Sequence, residues 1–146
     1  MNLNEIITAN KNEDIALCFP VYRELRSQLI DEDSFIKQIL RQQEAGFKLI
    51  FTKDSTTVVA CAGYRLLEMF GWGKMIYIDD LITKEDARGK GYGRHLLNYI
   101  EEQARLLNCK EIHLDSGYQR HNAHRLYLRQ GFQLSCHHFS KVISET

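Results

Sequence analysis

The stretch that decides the fold runs Leu81-Ile82-Thr83-Lys84-Glu85-Asp86-Ala87-Arg88-Gly89-Lys90-Gly91-Tyr92-Gly93-Arg94-His95-Leu96-Leu97. It reads as the end of a strand, a short polar approach, glycines at positions 89, 91 and 93, and the start of a helix. The helix is legible because Leu96, Leu97, Ile100, Ala104 and Leu107 recur along one face, with Glu101, Glu102 and Arg105 off it. A turn of this kind leaves the first backbone N–H groups of the helix without partners and aims them at an anion, with phosphate the natural candidate. Glycine matters there because a Cβ would hold a phosphate away and oppose the positive φ values that such a nest uses.

Two nucleotide-binding patterns can be tested on this run. A Walker A loop needs Gly-Lys followed by Ser or Thr, and here Lys90 is followed by Gly91. A dinucleotide fingerprint needs Gly-x-Gly-x-x-Gly, but counting from Gly89 and Gly91 the last position is Arg94. Asp115, after the next strand, keeps the dinucleotide reading open. A glycine-rich connection that holds no ligand is the remaining alternative.

Upstream of the turn, the apolar spacing alternates between helix and strand periods. Leu3 to Ala9 suits a short strand. Ile15, Phe19, Tyr22, Leu25 and Leu29 follow at helical spacing, with Pro20 expected to interrupt or kink that helix. Asp31-Glu32-Asp33-Ser34 supplies capping side chains for a second helix carrying Phe35, Ile36, Ile39 and Leu40, which Gly46 ends. Lys48 to Phe51 and Thr57 to Ala62 are β-prone runs joined at Lys53-Asp54-Ser55. The second continues through Leu67, turns near Phe70-Gly71-Trp72-Gly73 and returns as Met75 to Ile82, giving three meandering strands. Downstream, Asn108 stops the long helix and Ile112-His113-Leu114 reads as a strand. Asn122 to Gln130 reads as a short helix closed by Gly131, and Phe132 to Val142 as a final strand.

The whole therefore reads as one α/β (α+β) unit over residues 1–146, with a hydrophobic fraction of 44% that can build a core at this length. Nineteen Lys plus Arg against nineteen Asp plus Glu leave no basic field for nucleic acid or an anionic membrane. The N-terminus has no basic region followed by an apolar run, and no stretch approaches about 18 uninterrupted apolar residues, so a soluble, cytoplasmic protein is expected. Cys18, Cys61, Cys109 and Cys136 form no Cys-x-x-Cys pair and read as reduced core residues.

Arg88-Gly89-Lys90-Gly91-Tyr92-Gly93 resembles the Arg/Gln-x-x-Gly-x-Gly/Ala signature of the GNAT superfamily of N-acetyltransferases. Ala123-His124-Arg125-Leu126-Tyr127-Leu128-Arg129-Gln130-Gly131-Phe132 looks like that family's later Ala-x-x-Leu-Tyr-x-x-x-Gly-Phe element. With the strand before the turn, the likeness covers Tyr77 to Phe132. It implies a single domain with a mixed, mostly antiparallel central sheet flanked by helices. It also implies acetyl-CoA as acyl donor, an amine as acceptor, and no metal. The backbone of Arg88, Gly89, Lys90, Gly91, Tyr92, Gly93 and Arg94 would then hold the pyrophosphate, and the main chains of Leu81 and Ile82 would pair with the pantetheine arm. One departure stands out: Arg120 occupies the place where the family often has Asn, with Asn122 nearby.

An alkyl ammonium with a pKa of about 10.4 is neutral in only about one molecule per few thousand at pH 7, so attack on a thioester needs a base or a water relay. Asp79 and Asp80 sit late in the strand that the resemblance places beside the thioester, and strand alternation sends them to opposite faces. Asp79 is the expected base, acting through water or with a pKa raised by burial. Tyr127 matches the family tyrosine that protonates the departing thiolate. A non-catalytic module that binds CoA and senses it is the competing function. His121 and His124 lack a third ligand at a convincing spacing, and His137-His138 alternates across a strand, so no metal site is expected. Asp31-Glu32-Asp33 reads as helix capping or as an attraction for a cationic amine. Phe70 and Trp72 read as a hairpin tip, part of an acceptor pocket, or a homodimer contact.

Overall fold

The computed structural model describes residues 4–144; the expected strand start at Leu3 lies outside them. Its contacts divide the chain into two compact units, one ending at Leu114 and the other beginning at Asp115.

The first unit is a five-stranded sheet with helices. Strands β1 (Ile6–Thr8), β2 (Phe47–Asp54), β3 (Thr57–Met69), β4 (Gly73–Thr83) and β5 (Glu111–Leu114) lie side by side in chain order. The first four run antiparallel to their neighbours and β5 runs parallel to β4, as the long helical crossover between them requires. Helices α1 (Asn12–Leu25) and α2 (Glu32–Glu44) separate β1 from β2, and α3 (Tyr92–Leu106) separates β4 from β5.

Phe47, Leu49 and Phe51 point to one face of β2, as period-2 alternation demands, and meet Ile15, Cys18, Phe19 and Tyr22 of α1 and Phe35 and Ile39 of α2 in the main core. Ile50 and Thr52, on the opposite face of the same strand, are fully buried as well. A strand buried on both faces needs cover on both, and α3 brings Leu96, Leu97, Ile100 and Ala104 against the sheet.

Pro20 does not interrupt α1, which runs unbroken through it. A proline removes one ladder bond, but the five buried side chains Ile15, Cys18, Phe19, Val21 and Tyr22 hold the helix through packing. Asp31 caps α2 by accepting from the Ser34 N–H at 2.7 Å and the Ser34 hydroxyl at 2.9 Å. Past the end of α2, Gly46 takes a left-handed φ of 100°.

The second unit holds α4 (His121–Arg129), followed by Gly131 at φ 91°. The expected strand over Phe132 to Val142 is not formed: residues 132–144 have no regular secondary structure and no ladder partner among the described residues. Leu134, Phe139, Val142 and Ile143 are all exposed there. Cys136 is exposed with them, and Cys109 is half-buried, so only Cys18 and Cys61 are core cysteines; all four are free thiols.

Candidate active site

The glycine turn adopts the shape an anion needs. A short 3-10 turn at Glu85–Ala87 leads into Arg88, and Gly89 (φ 80°) and Gly91 (φ 89°) both take left-handed backbone. Only glycine holds that conformation without penalty. Gly91 is the N-cap of α3 and carries no side chain, so no side-chain cap blocks the first N–H groups of the helix. Arg88, Lys90 and Arg94, all exposed, surround them with positive charge. A Cβ built on Gly89 or Gly91 would meet nothing within 4 Å, so the space over the turn is open. Uncapped amides, a helix N-terminus and three cations fit a pyrophosphate.

The strand leading to that turn is irregular at one point. Gly63 of β3 pairs with Asp80 and Tyr64 pairs with Ile78, so Asp79 has no partner across the ladder: it is the extra residue of a β-bulge. Pairing between β4 and β5 stops at the same place, with Ile78 opposite Leu114, where β5 ends. Beyond it, residues 79–83 have a ladder partner only in β3 among the described residues. The Lys84 N–H donates to the Val59 carbonyl at 2.8 Å, which fixes the phase of the ladder. By alternation Ile82 and Asp80 direct their main-chain groups to β3, and Leu81 and Thr83 direct theirs to the open edge. Of the two residues expected to meet an extended ligand through their main chains, Leu81 therefore turns its groups away from β3 and Ile82 engages it.

The bulge also corrects the expectation that Asp79 and Asp80 face opposite sides. Both line one cavity of about 560 Å³, together with Tyr77 of β4, Tyr22 and Arg26 from the end of α1, and Phe35 of α2. An inserted residue breaks the period of two, and nothing in Ile78-Asp79-Asp80-Leu81 marks where.

The two acids differ in their partners. Both Asp79 oxygens are engaged by Arg65, whose Nε donates to Oδ1 at 3.0 Å and Nη2 to Oδ2 at 2.6 Å. Arg26 engages Asp80 on one oxygen only, donating from Nε at 3.0 Å and from Nη2 at 2.7 Å, both to Oδ1. The same Nη2 also reaches the Asp79 carbonyl at 3.2 Å. Burial pushes the Asp80 carboxyl above the usual aspartate range, with Arg26 pulling the other way and Asp79 adding to the rise. Asp80 is the more enclosed side chain, 12% exposed against 22% for Asp79.

Tyr22, Arg26 and Arg65 did not stand out in the sequence. Arg26 lies 54 residues before its carboxylate partner, and no local pattern ties them together. In the second unit, Tyr127 is buried on α4 with its ring tilted against Phe132 at 5.8 Å. Burial pushes its phenol upward, and the Arg120 charge opposes the shift. Among the described residues no group of His, Cys, Asp and Glu could hold a metal ion, and no helix is long and apolar enough to cross a membrane. Trp72 stacks on His113, with centroids 3.8 Å apart and planes 13° from parallel, which ties the β3–β4 hairpin to β5. Phe70 at its tip is fully exposed.

Residues 12–132 match the model of the acetyltransferase (GNAT) family. The chain is 31% identical over 133 residues to an uncharacterised N-acetyltransferase, YhdJ, of Bacillus subtilis, covering 90% of this chain and 93% of that protein. Over 66 residues it is 35% identical to an aminoalkylphosphonate N-acetyltransferase of Salmonella typhimurium, covering 45% of this chain and 43% of the relative. A crystal structure of a transcriptional regulator from Bacillus halodurans superposes with a TM-score of 0.84 at 19% identity, covering 96% of this chain and 99% of the other, a likeness of fold alone.

Proposed function

The chain belongs to the acetyltransferase (GNAT) family and is an N-acetyltransferase, and from that premise we propose that it moves the acetyl group of acetyl-CoA to the primary amine of a small molecule by direct attack on the thioester. The observation that carries this reading is the conjunction at β4. One edge of the strand is open beyond the bulge, the strand leads into an uncapped, glycine-built helix N-terminus, and two carboxylates at the bulge line a cavity. The turn from Arg88 to Arg94 takes the pyrophosphate, and the main-chain groups of Leu81 pair with the pantetheine arm. The Leu81 N–H is also available to a developing oxyanion. When bound, acetyl-CoA supplies the acyl group.

Asp80 is the better placed of the two acids to act as base. It keeps Oδ2 clear of Arg26, and its raised pKa brings it closer to the amine it must relieve of a proton. Asp79, held through both oxygens, serves as the anchor for Arg65. The family motif assigns protonation of the CoA thiolate to Tyr127, whose raised pKa keeps its proton in place until the thiolate forms. A cavity of about 560 Å³ suits a compact acceptor, and the aminoalkylphosphonate relative acts on a small amine by its name.

Binding tests the turn directly. Acetyl-CoA should raise the melting temperature in a concentration-dependent way and NAD should not. Stabilisation by NAD alone would sink the reading.

A further inference from the structure

Tyr22 is a buried polar group that the reaction described so far does not use. Its side chain is 4% exposed and lines the cavity that holds both acids, and its hydroxyl lies within hydrogen-bonding reach of the Asp80 carboxylate. A phenol that donates to a carboxylate still has oxygen lone pairs with which to accept, so the Tyr22 oxygen offers the cavity an acceptor beside Asp80. The local sequence makes room for the group. A Cβ on Gly63 would come within 2.7 Å of the Tyr22 hydroxyl and 2.2 Å of Phe47 Cζ, so only glycine at that point of β3 lets the phenol sit where it does. Gly63 is the ladder partner of Asp80. The hydroxyl therefore stands at the same level of the sheet as the acid whose Oδ2 is clear of Arg26, and its hydrogen bond lowers the Asp80 pKa against the effect of burial. Burial and the nearby Asp80 charge hold the phenol well above 10, so it remains an O–H at every physiological pH.

Resting on the acetyltransferase reading of this cavity, we propose that the Tyr22 hydroxyl and Asp80 Oδ2 together form the seat of the acceptor's amino group, which makes Tyr22 a substrate-positioning residue that selects primary and secondary amines over tertiary ones. The chemistry follows from counting hydrogens. A primary ammonium offers three N–H groups: one is taken by Asp80 Oδ2, one by the Tyr22 oxygen, and one is left over. After Asp80 takes a proton, the neutral amine keeps an N–H on Tyr22 while its lone pair is free to attack. The phenol hydrogen turns toward the carboxyl group. A secondary ammonium, with two N–H groups, also reaches both, whereas a tertiary ammonium carries only one and leaves the Tyr22 oxygen without a donor.

The test compares n-propylamine, N-methylpropylamine and N,N-dimethylpropylamine on wild type and Tyr22→Phe. Binding is measured by calorimetry, and acetyl transfer to the first two by thiol release from acetyl-CoA. The proposal expects wild type to bind n-propylamine and N-methylpropylamine at least about tenfold more tightly than the dimethyl amine, and the variant to lose that preference. It also expects the variant's KM for the amine to rise by about tenfold with the KM for acetyl-CoA unchanged. Because the variant keeps the ring and removes only the hydroxyl, its melting temperature should stay within a few degrees of wild type. An unchanged amine affinity and KM in Tyr22→Phe would overturn the proposal while leaving the transferase reading intact. Selective binding that Tyr22→Phe abolishes, without acetyl transfer by wild type, would support the seat and sink the transferase reading.

Discussion

Asp80→Asn separates the chemistry of the site from its stability. In the folded protein the Asp80 carboxyl titrates above the unfolded value of about 3.9, because burial outweighs the pull of Arg26. The native state therefore holds that proton more tightly than the unfolded chain. This contribution to stability is fully present below the unfolded pKa, declines as pH rises through the window up to the folded pKa, and is absent above it, where the buried charge acts as a constant penalty. Asparagine removes the charge and keeps an oxygen that can accept from Arg26, so at pH 7 the variant should lie within about 1 kcal/mol of wild type, a shift of roughly 2–4 °C in Tm. Its catalysis should not survive as well. Loss of a positioned base lowers kcat by about 10²–10⁴-fold, or roughly 2.7–5.4 kcal/mol of barrier. The assay is thiol release with saturating acetyl-CoA and a primary amine across pH, run beside thermal melts. Wild type should show an acidic limb set above the ordinary aspartate range, and Asp80→Asn should lack it. Activity within threefold of wild type at every pH would refute the reasoning, as would a collapse seen instead in Asp79→Asn with Asp80→Asn unaffected.

Three further substitutions probe the rest of the account. Gly63→Ala places a Cβ against Phe47 and the Tyr22 hydroxyl, and should lower stability by about 1–3 kcal/mol in denaturant melts. Gly91→Ala forces a side chain onto a φ of 89° and should cost about 1–2 kcal/mol of stability while weakening acetyl-CoA binding in calorimetry. Tyr127→Phe should lower kcat by about tenfold or more and leave the KM for acetyl-CoA within about twofold, as read by steady-state kinetics.

What could be read from the chain and what could not divide along physical lines. The α3 stripe, the Asp31 cap and the meander from Phe47 to Thr83 are local signals: each depends on spacing within one element, and each is formed. The glycine turn was legible for the same reason, since positive φ at Gly89 and Gly91 is written in the residue type. The bulge at Asp79 was not, because an extra residue in a ladder is decided jointly by two strands. Nor were the pairings of Arg26 with Asp80 and Arg65 with Asp79, which tertiary packing selects from many charged residues. The strand expected over residues 132–142 is not formed although Phe132, Leu134, Cys136 and Val142 alternate with polar residues, because a strand also needs a ladder partner, which spacing within one segment does not supply.

The central claim is that this chain transfers acetyl from acetyl-CoA to a small primary amine. Mass spectrometry of a primary-amine panel incubated with the protein and acetyl-CoA tests it most directly. The account predicts an N-acetylated product formed in step with free CoA, in wild type and not in Asp80→Asn. Release of CoA that ignores the amine, or no acetylated product from any member despite saturable acetyl-CoA binding, would contradict it.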